Sequence, residues 1–209
     1  MADYYTIFNN IKTQIEIKKS IFICAIYSIS DEEDVKRILD STKKEHYKAN
    51  HNCYAYILGE DSMNKKCSDD GEPSLTAGRP ILSVLEQKGV TNVLCVVTRY
   101  FGGVKLGTGG LVRAYTDATK EGLEQCQIAT MSLGKCVKIH TDYATINKVL
   151  YELSQRNLKQ EDSEYTDVIT ITVVMPIEDV DGFEEKITQI SAGKSTIEVV
   201  QEVYFEKMV

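Results

Sequence analysis

The stretch RYFGGVKLGTGGLVRAY (99–115) sets five glycines, Gly102, Gly103, Gly107, Gly109 and Gly110, among three cations, Arg99, Lys105 and Arg113. An apolar run at 93–97 precedes it and reads as a buried strand. Leu111, Tyr115, Ala118 and Gly122 follow at helical spacing, which predicts a helix starting near Gly109. A glycine-rich turn that feeds a helix N-terminus presents unpaired N–H groups at the positive end of the helix dipole, which is a recipe for binding an anion. The spacing is neither a Walker loop nor a G-x-G-x-x-G fingerprint, so the chemistry names no particular nucleotide. The same glycines also serve a purely structural turn, and Arg113 has Asp117 one helical turn on as a surface partner. Both readings stand at this point.

Two further groups carry chemistry. SDDGEP (68–73) places Asp69, Asp70 and Glu72 in one turn, where three carboxylates either hold a magnesium ion through waters or pair with Arg79, Arg99 or Arg113 across a cleft. Pairing is the preferred expectation, because the spacing lacks the calcium-loop pattern and Asp-Gly is a turn dipeptide. His51 and Cys53 stand two apart on one strand face, too far apart for a nucleophile–base contact, so Cys53 is expected to be a buried thiol. No catalytic residue, metal ligand or cofactor is therefore assigned. His51, Thr76 and Arg79 join the acidic turn as candidate cleft residues.

Those residues need elements to hold them. Strands are expected at 14–18, 21–29 and 52–58. Ser30 and Glu33 form a capping box for a helix running to His46. Residues 61–70 read as a hairpin connection or mobile loop. Pro80 opens a short helix that Gly89 ends. From 135 the pattern restarts as strand 135–141, a helix from Tyr143 capped by Asp142, strands 158–165 and 168–175, a helix from Pro176, and strand 197–205. That order is the split βαβ of ferredoxin-like domains.

Composition bounds the function. The chain has 209 residues, 43% of them hydrophobic and without a Pro- or Gly-rich linker, enough for one large domain or two small ones. No apolar run spans a membrane, and MADYYTIFNN lacks the basic start and apolar core of a secretory signal, so a cytoplasmic protein is expected. The six cysteines show no C-x-x-C spacing, in keeping with a reducing compartment. Through Lys135 there are 17 basic and 17 acidic residues, so the net charge of −7 lies wholly in the remainder, with 7 against 14. A polyanion is repelled by that remainder, so any RNA contact belongs to the first part, and a basic protein surface suits the second.

ANHNCYAY (49–56), SDDGEPSLTAGRP (68–80), VVTRYFGGVKLGTGGLVRAYTDA (96–118) and the entry IKKSIFI (17–23) together resemble the IMPACT/YigZ family. The resemblance implies an α+β fold in two domains. Residues 1–131 would form an IMPACT-type domain with the fold of the second domain of ribosomal protein S5, and 132–209 an acidic ferredoxin-like βαββαβ domain. It also implies a non-enzymatic translation or stress regulator that binds the ribosome, RNA or a translation factor through the Gly/Arg motif. The alternative is a hydrolase acting on a phosphate ester or peptide between the acidic turn and the arginines. Eukaryotic members carry a further N-terminal domain, so their kinase-activator partnership is not carried over. Leu75 stands where the family usually has Gly, and Leu resists positive φ, so the sequence leaves open whether the Ser74–Thr76 turn keeps its usual backbone.

Overall fold

A computed structural model describes residues 3–207. Contacts divide the chain into two compact units, one spanning Tyr4–Thr130 and the other running from Met131 onward.

The first unit contains β1 (Tyr4–Ile7), β2 (Ile11–Ile17), β3 (Ser20–Ser28), α1 (Glu32–Glu45), β4 (His51–Leu58), β5 (Asn64–Ser68), α2 (Gly78–Lys88), β6 (Val93–Tyr100) and α3 (Gly107–Glu124). Its sheet runs β2-β3-β6-β4-β5, with every neighbour antiparallel. Strand β6 is central and apolar on both faces because both are covered. On one face α2 and α3 pack Ile81, Leu85, Leu111, Ala114 and Ala118 against Cys24, Ile26, Cys53, Cys95 and Val97. On the other, Val35 of α1 joins Tyr56, Leu58, Leu94 and Val96.

Local differences from the sequence reading have simple causes. The first helix is capped one residue later than expected: Asp31 accepts from the Asp34 N–H at 2.8 Å, and Asp34 reaches back to the Ser30 N–H at 3.0 Å. The box survives with aspartates in both roles. Residues 64–68 are a strand, β5, paired with β4. Helix α3 begins at Gly107, two residues early, and Gly107 makes the entry turn at φ +71°, which glycine enters freely.

The second unit contains most of β7 (Ile128–Thr141), then α4 (Ile146–Gln155), β8 (Gln160–Tyr165), β9 (Ile169–Pro176), a 3-10 turn at Ile177–Asp179, α5 (Val180–Ser191) and β10 (Thr196–Glu206). The antiparallel order β10-β7-β9-β8 is that of a ferredoxin-like βαββαβ domain. Ile169, Ile171, Val173 and Met175 of β9 point inward at every second position against Val149 and Leu153 of α4 and Phe183 and Ile187 of α5. Asp142 does not cap the helix directly: it accepts from the Thr145 N–H at 2.7 Å in the turn that leads into α4. Among the described residues no helix is long and apolar enough to cross a membrane.

Each unit thus has its own core. Expressed separately, residues 4–130 and 131–209 should each give a dispersed amide spectrum and a cooperative thermal transition. A fragment that remains unfolded would show that its core needs the other.

Candidate functional site

Register builds the site. Arg99 lies opposite Phe22 across the β3/β6 ladder and opposite His51 across the β4/β6 ladder. Directly paired residues share a face, so Phe22, Arg99 and His51 form one row on the side that α3 covers. Two residues earlier on β6, Val97 lies in the core on that same face. Arg99 is therefore a cation at the end of a core row, with a side chain only 7% exposed.

A buried guanidinium requires an acceptor. Glu72 supplies it: its Oε1 accepts from Arg99 Nη1 at 2.7 Å and from the Tyr115 hydroxyl at 2.8 Å. Arg99 also lies between two rings, 5.5 Å from the centroid of Phe22 and 5.6 Å from that of Phe101. Its Nη2 is 3.5 Å from Ser20 Oγ, while its buried Nε–H has no partner. Tyr115, in α3, sits beneath, and burial with the neighbouring Cys53 and Glu72 pushes its phenol far above the ordinary value. His51 Nδ1 donates to the Asp70 carbonyl at 2.8 Å, which leaves Nε2 3.9 Å from Glu72 Oε2.

The neighbouring carboxylates have other tasks. Asp69 caps α2, accepting from the N–H groups of Ala77 at 2.9 Å, Gly78 at 2.8 Å and Leu75 at 2.9 Å. Asp70 accepts from the Asn52 N–H at 2.6 Å. Among the described residues no group of three His, Cys, Asp or Glu side chains is placed to hold a metal ion. Thr76 closes the turn by donating to the Pro73 carbonyl at 2.6 Å. Leu75 keeps a left-handed backbone at φ +63° despite its side chain, and that side chain is exposed. The turn therefore retains a glycine-like conformation, held by Asp69.

Above the ion pair opens a cleft of about 500 Å³, lined by Asn50, His51, Glu72, Pro73, Arg99, Phe101, Lys105, Leu106, Gly107, Thr108 and Leu111. One wall is the glycine loop. Gly102 approaches the β2–β3 hairpin so closely that an added Cβ would lie 2.0 Å from the Lys19 carbonyl, and its N–H donates to Ser20 Oγ at 3.1 Å. Gly103 and Gly109 are exposed, and Gly110 follows in the first turn of α3. The residue before that helix is Leu106, so no side chain caps it, and its first turn holds no acidic residue. Its N–H groups adjoin the cleft beside Lys105.

The structure thus brings together Arg99, Glu72, His51, Lys105 and Gly107, with Asp70 and Gly102 alongside, and places Arg79 and Arg113 elsewhere. Arg79 pairs with Glu86 within α2 at 3.3 Å. Arg113 is exposed on α3 outside the cleft, and it forms no ion pair with Asp117 among the described residues. Arg99 is not a free anion ligand, because Glu72 already holds its charge. Cys53 contacts the Asp69 carbonyl at 3.0 Å and the Tyr115 hydroxyl at 3.3 Å rather than His51. Phe101, Tyr115 and Ser20 were not singled out from sequence. The signal for Phe101 was an aromatic side chain beside two glycines in an exposed turn.

The family model described as Impact N-terminal domain matches residues 18–123, and that described as Domain of unknown function (DUF1949) matches 139–194. The chain is 36% identical to IMPACT family member YvyE of Bacillus subtilis, an alignment covering 100% of this chain and 96% of that protein. It is 34% identical to IMPACT family member YigZ of Escherichia coli over 90% and 93% of the two chains. Protein IMPACT of Mus musculus is 37% identical over 43% of this chain and 29% of its own length. A solved structure, titled as that of an hypothetical protein, is similar at a TM-score of 0.64 and 31% identity, covering 96% of this chain and 98% of that one.

Two outcomes follow from the local chemistry. Leu75→Gly should raise stability by about 0.5–1 kcal/mol, since it relieves a left-handed leucine at some entropic cost, and chemical denaturation will measure it. Burial pushes the Cys53 thiol up from 9.0 to about 12. The folded state then holds a proton that the unfolded state releases, so this contribution to stability is full below pH 9 and is lost as pH rises toward 12. In native protein at pH 9, mass mapping after iodoacetamide treatment should find Cys53 unmodified.

Proposed function

We propose, from the premise that the chain belongs to the IMPACT family, that it is a non-enzymatic, cytoplasmic regulator linked to translation. It binds the ribosome, RNA or a translation factor through the first unit. The observation that carries this reading is the first turn of α3, which no side chain caps and which adjoins the cleft beside exposed Lys105. Backbone N–H groups and the helix dipole favour a phosphate or carboxylate there. Exposed Lys18 and Lys19 lie on the hairpin that Gly102 touches, which adds cations next to the same loop.

The pairing of Arg99 with Glu72 changes which residues are assigned to contact a polyanion. Arg99 shapes the cleft, whereas Lys105 and Arg113 are accessible to a partner. The acidic second unit has the complementary role of meeting a basic protein surface, because its charge disfavours phosphates.

Full-length protein titrated with ribosomes and labelled RNA at two salt concentrations tests the reading. Affinity should fall with ionic strength. Lys105→Ala and Arg113→Ala should each lower the salt slope by about one unit, and Lys148→Ala on the second unit should leave it unchanged. Binding that is indifferent to salt and to both substitutions would refute the assignment.

A further inference from the structure

The cleft carries more than a site for a simple anion. Phe101 is 46% exposed, and Arg99 lies against its ring. Beside it, Leu106, Leu111 and Pro73 give the cleft an apolar wall. At one end are Lys105 and the uncapped start of α3, with the N–H groups of Gly107 and Thr108. Independently of the helix, Arg99, more than nine-tenths buried and paired with Glu72, forms the floor of the same cleft and backs the Phe101 ring. An aromatic platform and an anion cradle lining a cleft of about 500 Å³ suit a ligand that has a flat ring at one end and a phosphate at the other.

We propose that this cleft takes one nucleoside monophosphate unit of a single-stranded RNA, with the base against Phe101 and the phosphate at the first turn of α3 and Lys105. This inference rests on the RNA-binding form of the reading above. Stacking on an aromatic ring tolerates any base, so the site recognises an unpaired nucleotide rather than a sequence. A duplex is disfavoured, because a base held in the stack cannot reach a ring set within a cleft. Lys18 and Lys19 on the adjoining hairpin give the flanking phosphates a path away from the cleft. A protein carboxylate at the helix start would satisfy the anion end but would leave the Phe101 face without a stacking partner.

The test is fluorescence anisotropy of the full chain with a short labelled oligouridine, with uridine monophosphate, uridine and inorganic phosphate as competitors. The variants are Phe101→Ala and Lys105→Ala, both at exposed positions, and thermal unfolding verifies that each remains folded. Phe101→Ala should weaken binding about tenfold without altering the salt slope. Lys105→Ala should weaken it and lower the slope by about one. Uridine monophosphate should compete better than uridine or phosphate. If it competes as well as the unlabelled oligonucleotide, the free nucleotide is the source; if far less well, the RNA strand is. Phosphate competing as well as the nucleotide, with Phe101→Ala silent, would reduce the cleft to an anion site and overturn the proposal. Oligouridine binding indifferent to both variants would overturn it while leaving RNA binding by the chain intact. Absence of binding to RNA and ribosomes alike would overturn this proposal together with the RNA- and ribosome-binding forms of the reading above, leaving only a translation-factor partner.

Discussion

A charge buried at the end of a core row constrains everything around it. Arg99 is placed by strand parity on the helix-covered face of β6, where water cannot solvate it. The desolvation of a guanidinium there amounts to several kcal/mol, and only a carboxylate with further hydrogen bonds offsets it. Glu72 is that carboxylate, and it also accepts from Tyr115 of α3. One ion pair therefore ties the central strand, the 69–73 turn and the longest helix of the unit together.

The shape of the cleft follows from this tie. Holding Glu72 inward leaves the backbone of the turn to be satisfied by its own side chains, so Asp69 turns to the amides of α2 and Asp70 to Asn52. Left-handed Leu75 is tolerated because its N–H is one of the Asp69 bonds. On the other side, Gly102 fits against the Lys19 backbone and the loop swings out to start α3 at Gly107. The space between turn and loop is the cleft, with a neutralised floor and a positive rim.

Much of this is legible in the sequence. The alternation and breaks of the sequence placed the βαββαβ order of the second unit and the glycine loop between strand and helix. The parity of Cys95, Val97 and Arg99, which marks an interior cation that requires a partner, is missed by the sequence reading: the expected strand ends at 97 and leaves Arg99 in the glycine turn, whereas β6 runs to Tyr100. The identity of that partner was less accessible, because Glu72 is 27 residues away and three carboxylates share its turn. Which of them turns inward depends on Asp69 capping α2 from eight residues upstream of Ala77, a contact without local periodicity. Arg79 and Arg113 looked equivalent to Arg99 in sequence, but they lie exposed on α2 and α3, whereas Arg99 lies on the covered face of strand β6.

A double-mutant cycle on Arg99 and Glu72, read by chemical denaturation of the full chain, tests the central claim most directly. Arg99→Met and Glu72→Leu should each cost about 3–5 kcal/mol, because each leaves a buried charge alone. The double variant should cost far less than their sum, since an apolar pair removes both charges from the interior. Additive losses, or single variants as stable as the parent, would contradict an architecture built around this pair.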